Sequence, residues 1–288
     1  MTIREILSQA SAELKSVNID TPSLDASLLL AHIIGVDRSK LLAMNEDQLS
    51  EKIRAEFRSL LDRRINGECV AYIVGKKEFY GLEFMVNSYV LVPRPDTEIL
   101  VETALDVLGN GEWEVGSGKE RAVRILDLCT GSGAIAIALK HELPHAEVYA
   151  TDISAEALEV AKTNAARLLP NNNNITFLQG DLYNALPQSL VPVPYSLITT
   201  NPPYISSAEL KSLPPEVQKE PQIALDGGDS GLEIIERIIQ DAPQYLIKGG
   251  HLLMEADPCQ MQSTEILLVN RGFCNIIKYE RVIGGMYE

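Results

Sequence analysis

The chain has 288 residues, 45% of them apolar and 23% charged, which is an ordinary balance for a globular protein of about two domains. Its formal net charge of −15, from 25 basic and 40 acidic side chains, argues against a protein that grips nucleic acid mainly through phosphates. No apolar run approaches the roughly 18 residues of a membrane span, and the N-terminus lacks the layout of a signal or transit peptide. The cysteines form no CxxC pair, which argues against a disulfide framework and a zinc site and favours a cytoplasmic location. They are Cys69, Cys129, Cys259 and Cys274.

Residues 1–74 are predicted to form a small helical bundle. Thr2, with Glu5 three residues later, forms a capping box at the start of an amphipathic helix. Thr21 followed by Pro22 is a second helix start. No strand pattern interrupts this region.

From residue 75 the pattern changes. Segments 77–86 and 89–95 alternate aromatic and β-branched residues around turn signals, so residues 75–95 are predicted to be a β-hairpin linker between two domains. In residues 96–288 strands and helices alternate, which predicts a doubly wound parallel α/β sheet covered on both faces. The strand-like segments are 123–128, 147–153, 175–182, 195–201 and 250–256, and the helix-like segments are 133–143, 154–168, 230–246 and 261–273. Two polar stretches, 114–121 and 171–174, are predicted to be loops.

The segment 125–139 is typical of a strand, a loop of small residues and a helix. Gly131 and Gly133 let the backbone approach a ligand closely, and the start of the following helix presents free N–H groups. A dinucleotide fingerprint requires a third glycine, which is absent here. The acidic Asp127 at the strand end suits a ligand with a cationic amino group and no pyrophosphate.

Two further acidic residues end the next two strands. Asp152 lies about 20 positions after Gly131, where a carboxylate can accept both ribose hydroxyls. Asp181 ends the following strand, where an adenine could be recognised. Each carboxylate taken alone is as easily explained as a helix cap or a turn residue. Three acidic strand ends around one glycine loop favour S-adenosylmethionine over a nicotinamide dinucleotide.

Residues 195–200 lead directly into the motif Asn201-Pro202-Pro203-Tyr204. Two prolines cannot continue a central strand, so the chain must turn out at the carboxyl edge of the sheet, where ligands bind. The amide oxygen of Asn201 and the carbonyl oxygen of Pro202 can each accept one hydrogen of a planar NH2 group, and Tyr204 can lie against its face. In isolation the motif is also explained as a rigid surface turn. Its place one strand after the third acidic residue favours catalysis.

An amide or aromatic NH2 group is a poor nucleophile because its lone pair is delocalised. Two acceptors that hold its hydrogens can turn the lone pair toward a sulfonium methyl group and stabilise the positive charge that grows on nitrogen. Pre-orientation at an attack distance of about 3–3.5 Å supplies much of the remaining acceleration. Asn201, Pro202 and Tyr204 are therefore the candidate catalytic residues.

At these residues the chain resembles the HemK-type protein-(glutamine-N5) methyltransferases (the PrmC/HemK family), which modify class 1 peptide chain release factors. The matching runs are 21–42, 68–102, 127–139, 201–205 and 224–233. The run 68–102 together with the Asn-Pro-Pro-Tyr motif is highly specific, whereas many methyltransferases share the glycine loop. The resemblance implies a class I S-adenosylmethionine-dependent methyltransferase, a Rossmann-like sheet in residues 96–288 with a small N-terminal helical bundle.

The resemblance also implies the reaction and the site. The methyl group of S-adenosylmethionine would pass to the side-chain amide nitrogen, N5, of the glutamine in the Gly-Gly-Gln motif of a class 1 release factor, and the helical bundle would dock on that factor. The implied cofactor contacts, beside Asp127, are Cys129, Thr130, Gly131, Ser132, Gly133, Asp152, Asp181, Leu182 and Asn201. The implied glutamine contacts are Asn201, Pro202, Pro203 and Tyr204. Segment 93–98 would lie near the cofactor and partly cover the site.

Several positions depart from the family pattern. Cys129 stands where the family commonly has glycine, Asp96 replaces a glutamate, and Leu182 occupies a position that can be aromatic. Segment 254–260 departs from an acidic-glycine pattern, and segment 275–288 is expected to be shortened before its last strand. We expect these last two departures to affect the stability of the sheet and not the chemistry.

Three alternatives remain open at this stage. The first is glutamine methylation of a ribosomal protein, and the second is an amino-methyltransferase acting on adenine or guanine in nucleic acid, where a flipped base presents the same NH2 group. The acidic charge disfavours direct binding of nucleic acid, and no membrane partner is expected. The third, a non-catalytic cofactor-binding protein, is disfavoured by the intact Asn201. The histidines have no metal-ligand spacing, so no metal is expected; they are His32, His141, His145 and His251.

Overall fold

The structure is a computed structural model that describes residues 1–109, 123–170, 174–187 and 194–288. The predicted loop at 114–121 and most of the one at 171–174 lie outside the described residues. The chain forms two compact units, one of residues 1–76 and 214–219 and the other of residues 77–213 and 220–288. Most of the segment predicted to be a linker, 75–95, therefore groups with the second unit.

The first unit is helical. Its helices are α1 (Ile3–Ser16), α2 (Pro22–Ile34), α3 (Arg38–Ala43), α4 (Glu51–Ile65) and α5 (Val70–Val74). The predicted capping box is present, since Thr2 accepts from the Glu5 N–H and Glu5 accepts from the Thr2 N–H. Pro22 begins α2 as predicted, and Gly35 ends it in the left-handed conformation that glycine tolerates best. Apolar side chains from these helices form one core.

A β-hairpin opens the second unit. Strands β1 (Lys76–Phe79) and β2 (Leu82–Met85) are joined by Tyr80 and Gly81, both at positive φ. The predicted second strand-like segment, 89–95, is not a strand and contributes nothing to the hairpin. Its Val92 N–H donates to the carboxylate of Glu220 and not to a neighbouring strand.

The rest of the second unit alternates strands and helices. After α6 (Glu98–Gly109) come β3 (Arg124–Leu128), α7 (Ala134–Glu142), β4 (Glu147–Asp152), α8 (Ala155–Leu168), β5 (Ile175–Gln179), β6 (Tyr195–Thr200), α9 (Glu233–Asp241), β7 (Leu246–Glu255), α10 (Met261–Asn270), β8 (Phe273–Tyr279) and β9 (Val282–Tyr287). Helix α9 is shorter than predicted because Pro243 follows it in a 3-10 turn. No helix among the described residues is long and apolar enough to cross a membrane.

The seven strands form one sheet in the order β5-β4-β3-β6-β7-β9-β8. The first five are parallel, and only β9 runs antiparallel to its neighbours β7 and β8. Side chains alternate between two cores: Ile125 of β3 points to the core under α6, α7 and α8, and Leu126 points to the core under α9 and α10. The sheet is thus covered on both faces, as predicted.

Two features of this topology position the candidate site. The chain winds from β3 outward to β5 and then returns to the other side of β3 as β6, so the order reverses between β3 and β6. Ligands of open α/β sheets bind at such a reversal, outside the carboxyl ends of the strands. Segment 275–288 includes β9, a six-residue strand that pairs with both β7 and β8, and the expected shortening before this last strand stays a prediction.

Candidate active site

A cavity of about 720 Å³ opens at the carboxyl ends of the parallel strands. Its wall includes nine of the predicted site residues: Cys129, Thr130, Gly131, Ser132, Asp152, Asp181, Leu182, Asn201 and Pro203. Four other predicted site residues do not line it: Asp127, Gly133, Pro202 and Tyr204. Segment 93–98 contributes Pro93, Arg94 and Thr97 to the wall.

The loop after β3 is held in conformations that favour glycine. Cys129, Gly131 and Gly133 all have positive φ, at 55°, 55° and 81°. A residue with a β-carbon adopts this backbone geometry only at a conformational cost, which Cys129 bears. The same cost explains why a glycine suits this position. A β-carbon on Gly133 would lie 2.9 Å from Ile137 Cδ1 and 3.2 Å from Ala161 Cβ, so this glycine serves packing. A β-carbon on Gly131 would meet no protein atom within 4 Å, so this part of the backbone is open to a ligand.

Asp152, at the end of β4, ties that strand to the glycine loop. Its Oδ2 accepts from the Gly131 N–H at 2.8 Å, and its Oδ1 accepts from the Ser154 N–H at 2.9 Å. Burial raises the pKa of this carboxyl. Each oxygen keeps a further lone pair, so the carboxylate can still accept hydroxyl hydrogens from a ligand in the cavity.

Asp127 is completely buried behind the loop. Its oxygens accept from the Thr130 hydroxyl at 2.6 Å and the Thr199 hydroxyl at 2.9 Å. Burial raises the pKa of the carboxyl to about 7. Asp127 therefore lies beneath the cavity wall, where it fixes Thr130, and it does not itself line the cavity.

Asp181 and Leu182 follow β5 and also line the cavity. Asp181 pairs with Arg237 of α9 across 2.5 Å, with both side chains nearly half exposed. Leu182 is buried at a positive φ of 52° and presents an aliphatic surface. This corner offers an apolar wall beside a charged pair.

Asn201 follows β6 directly and is oriented by two neighbours. The register pairs Thr200 of β6 with Met254 of β7, so the next residues, Asn201 and Glu255, lie side by side at the sheet edge. Asn201 Nδ2 donates to Glu255 Oε2 at 3.0 Å and to Thr97 Oγ1 at 3.2 Å. Both amide hydrogens are thereby engaged, and Oδ1 has no protein donor among the described residues. The side chain thus offers an acceptor to the cavity.

Tyr204 contributes from behind the cavity wall. Its hydroxyl donates to Glu255 Oε1 at 3.0 Å, and burial beside that carboxylate raises the pKa of the phenol. Pro202 is buried, and Pro203 lines the cavity. The motif therefore reaches the cavity through Asn201 and Pro203, and Tyr204 stands behind them.

Sequence reasoning did not name Glu255 among the site residues, and the structure places it directly behind Asn201. Glu255 is 2% exposed, and its carboxylate accepts from Thr97, Asn201 and Tyr204. Burial raises its pKa. The signal was present in the sequence, because Glu255 ends the strand-like segment 250–256 just as the three aspartates end theirs.

A glycine-rich turn supports the backbone of the motif from outside. A β-carbon on Gly227 would lie 2.8 Å from both the Pro203 oxygen and the Tyr204 Cα. Gln260 donates through Nε2 to the Tyr204 oxygen at 2.8 Å and to the Gly231 oxygen at 3.2 Å. Close backbone packing here explains the glycines of the run 224–233, to which sequence reasoning gave no role.

Sequence comparison relates each unit to a known family. Residues 5–75 match the family described as PrmC N-terminal domain, and residues 119–266 match the family described as Methyltransferase domain. Release factor glutamine methyltransferases are similar over nearly their whole length. That of Geobacter sulfurreducens is 35% identical over 99% of this chain and 96% of its own, and that of Vibrio cholerae is 38% identical over 100% and 98%. That of Bordetella pertussis is 40% identical over 92% and 94%.

Solved structures agree on the fold. The catalytic domain of hMettl16, crystallised with a MAT2A 3′UTR hairpin, superposes with a TM-score of 0.55 at 16% identity over 82% of this chain and 80% of that one. A methyltransferase from Pyrococcus furiosus superposes with a TM-score of 0.50 at 18% identity over 81% and 97%. At such identities the likeness concerns the fold alone, and the fold is that of the class I methyltransferases.

Proposed function

The chain belongs to the release factor glutamine methyltransferase family, and on that basis we propose that it methylates N5 of the glutamine in the Gly-Gly-Gln motif of class 1 release factors. The protein is an S-adenosylmethionine-dependent methyltransferase. The observation that carries the assignment is the fixed carboxamide of Asn201, whose Oδ1 is left as an acceptor at the cavity.

The residues around the cavity fit S-adenosylmethionine. When bound, this cofactor supplies an electrophilic methyl group on a sulfonium. The backbone at Gly131 is open to a ligand, Asp152 offers carboxylate oxygens that suit ribose hydroxyls, and Leu182 gives an aliphatic surface that suits a purine. Two arginines line the same cavity. Arg94 pairs with Glu220 and Arg237 pairs with Asp181, so the positive charge of each is balanced and does not oppose a cationic ligand.

The chain's own residues then act on the nucleophile. Asn201 Oδ1 accepts a hydrogen from the side-chain NH2 of the substrate glutamine, and the Pro202 carbonyl is the proposed second acceptor. Holding both hydrogens directs the nitrogen lone pair and stabilises the positive charge that develops on nitrogen. Tyr204 keeps the motif in place through its bond to Glu255.

The helical unit is the proposed docking surface for the release factor. Its match to the PrmC N-terminal domain over residues 5–75 supports a role that belongs to this family and not to methyltransferases in general. The strongly acidic chain suits a protein partner better than a polyanion, which is why nucleic acid remains an alternative substrate and not the proposed one.

A panel of acceptors tests the proposal. The purified protein is incubated with methyl-labelled S-adenosylmethionine and, separately, an unmodified class 1 release factor, ribosomal proteins, ribosomal RNA and DNA. We expect label in the release factor alone, and none in a release factor whose motif glutamine is changed to alanine. Label in ribosomal protein or nucleic acid, with none in the release factor, would reject the proposed substrate.

A further inference from the structure

Glu255 is the charged group nearest to the candidate nucleophile-binding residue, yet it does not line the cavity. Its two oxygens receive three hydrogen bonds from three separate parts of the chain. Thr97 donates at 2.6 Å from segment 93–98, Asn201 at 3.0 Å from the end of β6, and Tyr204 at 3.0 Å from the turn beyond it.

We propose that Glu255 is a positioning residue that sets the orientation of the Asn201 carboxamide, so that Oδ1, and not Nδ2, faces the substrate. This inference rests on the proposed role of Asn201 as an acceptor and adds the group that enforces it.

The hydrogen-bond inventory of the cluster allows one arrangement. An ionised carboxylate has only acceptors, so the side of the Asn201 amide that faces Glu255 must be the NH2 group. The Thr97 hydroxyl gives its hydrogen to Glu255 Oε2 and therefore receives the second hydrogen of Asn201 Nδ2. A flipped amide would place Oδ1 against Glu255 Oε2 with no hydrogen between them, and the single Thr97 hydrogen could serve only one of those two acceptors, which is costly in a buried site.

Burial makes this preference strong. Glu255 is 2% exposed and Thr97 is 4% exposed, so water does not replace a lost partner in the cluster. The orientation matters chemically because a carboxamide with its NH2 group facing the substrate would present donors to another NH2 group. Glu255 thus acts through Asn201 and does not touch the substrate.

Two conservative substitutions separate geometry from charge. Glu255→Gln keeps the length of the side chain, and its amide oxygen still accepts from Thr97 and Asn201 while its NH2 group faces the Tyr204 hydroxyl. Glu255→Asp keeps the charge but withdraws the acceptors by one methylene. The proposal predicts a fall in kcat below tenfold for Glu255→Gln and on the order of 100-fold for Glu255→Asp, as for loss of one pre-organised group.

The assay measures kcat and KM for the release factor and the Kd of S-adenosylmethionine in each variant. Glu265 of α10 is a partly exposed carboxylate that pairs with Lys278 of β8, and Glu265→Gln is the matched control that should behave as wild type. We expect the Kd of S-adenosylmethionine to stay within about threefold in both Glu255 variants. The reverse order of kcat would assign the effect to charge, and wild-type kcat in both would remove the role; either result overturns the proposal.

A second readout does not depend on the acceptor protein. The side-chain NH2 of Asn201, observed by NMR in 15N-labelled protein, should exchange slowly in wild type and Glu255→Gln and rapidly in Glu255→Asp. Slow exchange without methyl transfer to the release factor would reject the proposed function alone, whereas transfer with rapid exchange in wild type would reject this inference alone.

Should Glu255→Asp fail to fold, Thr97→Val takes its place, because it removes the hydroxyl that receives the second Asn201 hydrogen. We expect its kcat to be about threefold to tenfold lower, and a wild-type kcat in this variant would also overturn the proposal.

Discussion

At the scale of single residues, four acidic side chains lie at or just beyond the carboxyl ends of parallel strands of one sheet, and they have different roles. Asp152 lines the cavity and holds the glycine loop, Asp127 lies buried beneath it, and Asp181 forms an exposed ion pair. Glu255 orients Asn201 from behind. The sequence pattern places the three aspartates at one edge of the sheet because strand ends can be recognised locally, whereas Glu255 was not recognised as a member of the group. Their separate roles depend on burial and on partners distant in the chain, which no local pattern contains.

The position of Asp152 predicts an effect on cofactor affinity. Asp152→Ala removes the carboxylate that faces the cavity and the acceptor of the Gly131 N–H. A lost hydrogen bond to a charged group is worth about 1.5–3 kcal/mol, so the Kd of S-adenosylmethionine should rise about 10- to 100-fold. Isothermal titration calorimetry measures this, with the exposed Glu159→Ala of α8 as control. An unchanged Kd would refute the ribose assignment.

The buried Asp127 predicts a pH effect on stability. Its pKa is raised from the usual 3.8 to about 7, so between these values the folded protein holds a proton that the unfolded chain has lost. This group therefore lowers the free energy of unfolding by about 1.4 kcal/mol for each pH unit across that window as pH rises, with no further loss above it. Asp127→Asn cannot ionise and lacks this slope.

Urea unfolding of wild type and Asp127→Asn at several pH values between 4 and 8 measures the difference. As the pH rises to about 7, the free energy of unfolding of the variant should increase relative to that of wild type. Above that pH the difference between the two should stay constant. A difference that stays constant with pH would contradict the buried, proton-holding state of Asp127.

At the scale of elements, helices with caps and buried parallel strands were predicted well. The sequence patterns that predict these elements are local. They are the capping pair Thr2 and Glu5, the helix-starting Pro22, and the apolar runs of β3 and β6. Segment 89–95 misled for the opposite reason. Its alternating residues resemble a strand, but the Val92 N–H is taken by Glu220, a partner 128 positions away that the local pattern cannot show.

Helices α2 and α4 are joined by an ion pair whose loss should be costly. Arg64 of α4 pairs with Asp25 of α2 at 2.7 Å, and both side chains are about 5% exposed. Arg64 also pairs with Glu216 of segment 214–219, which belongs to the same unit. Arg64→Met leaves Asp25 buried without its counter-charge, which should destabilise the helical unit by about 3–5 kcal/mol.

Chemical denaturation followed by circular dichroism measures this loss. Arg58→Met on the same helix removes an arginine that pairs with Glu13 and Asp62 at the surface, and it should cost less than about 1 kcal/mol. Equal losses in the two variants would contradict the importance given to burial.

At the scale of the whole molecule, the sequence predicted a helical N-terminal part and a doubly wound sheet with the site at its carboxyl edge. Regular alternation of strands and helices admits few topologies, and the handedness of parallel crossovers narrows them further. The inclusion of residues 214–219 in the helical unit could not be predicted, because that packing joins segments about 150 positions apart, Arg64 with Glu216 and Gly67 with Pro215. The fold identifies a class I methyltransferase, and the similarity to release factor glutamine methyltransferases supports the substrate.

The most direct test of the central claim is peptide mass spectrometry of a release factor treated with S-adenosylmethionine and either wild-type protein or Asn201→Ala. We expect one added methyl group on the glutamine of the Gly-Gly-Gln motif with wild type. With Asn201→Ala we expect the rate of methyl transfer to fall by a factor on the order of 100 or more, while S-adenosylmethionine still binds. A methyl group at another residue, or full methylation by Asn201→Ala, would contradict the account.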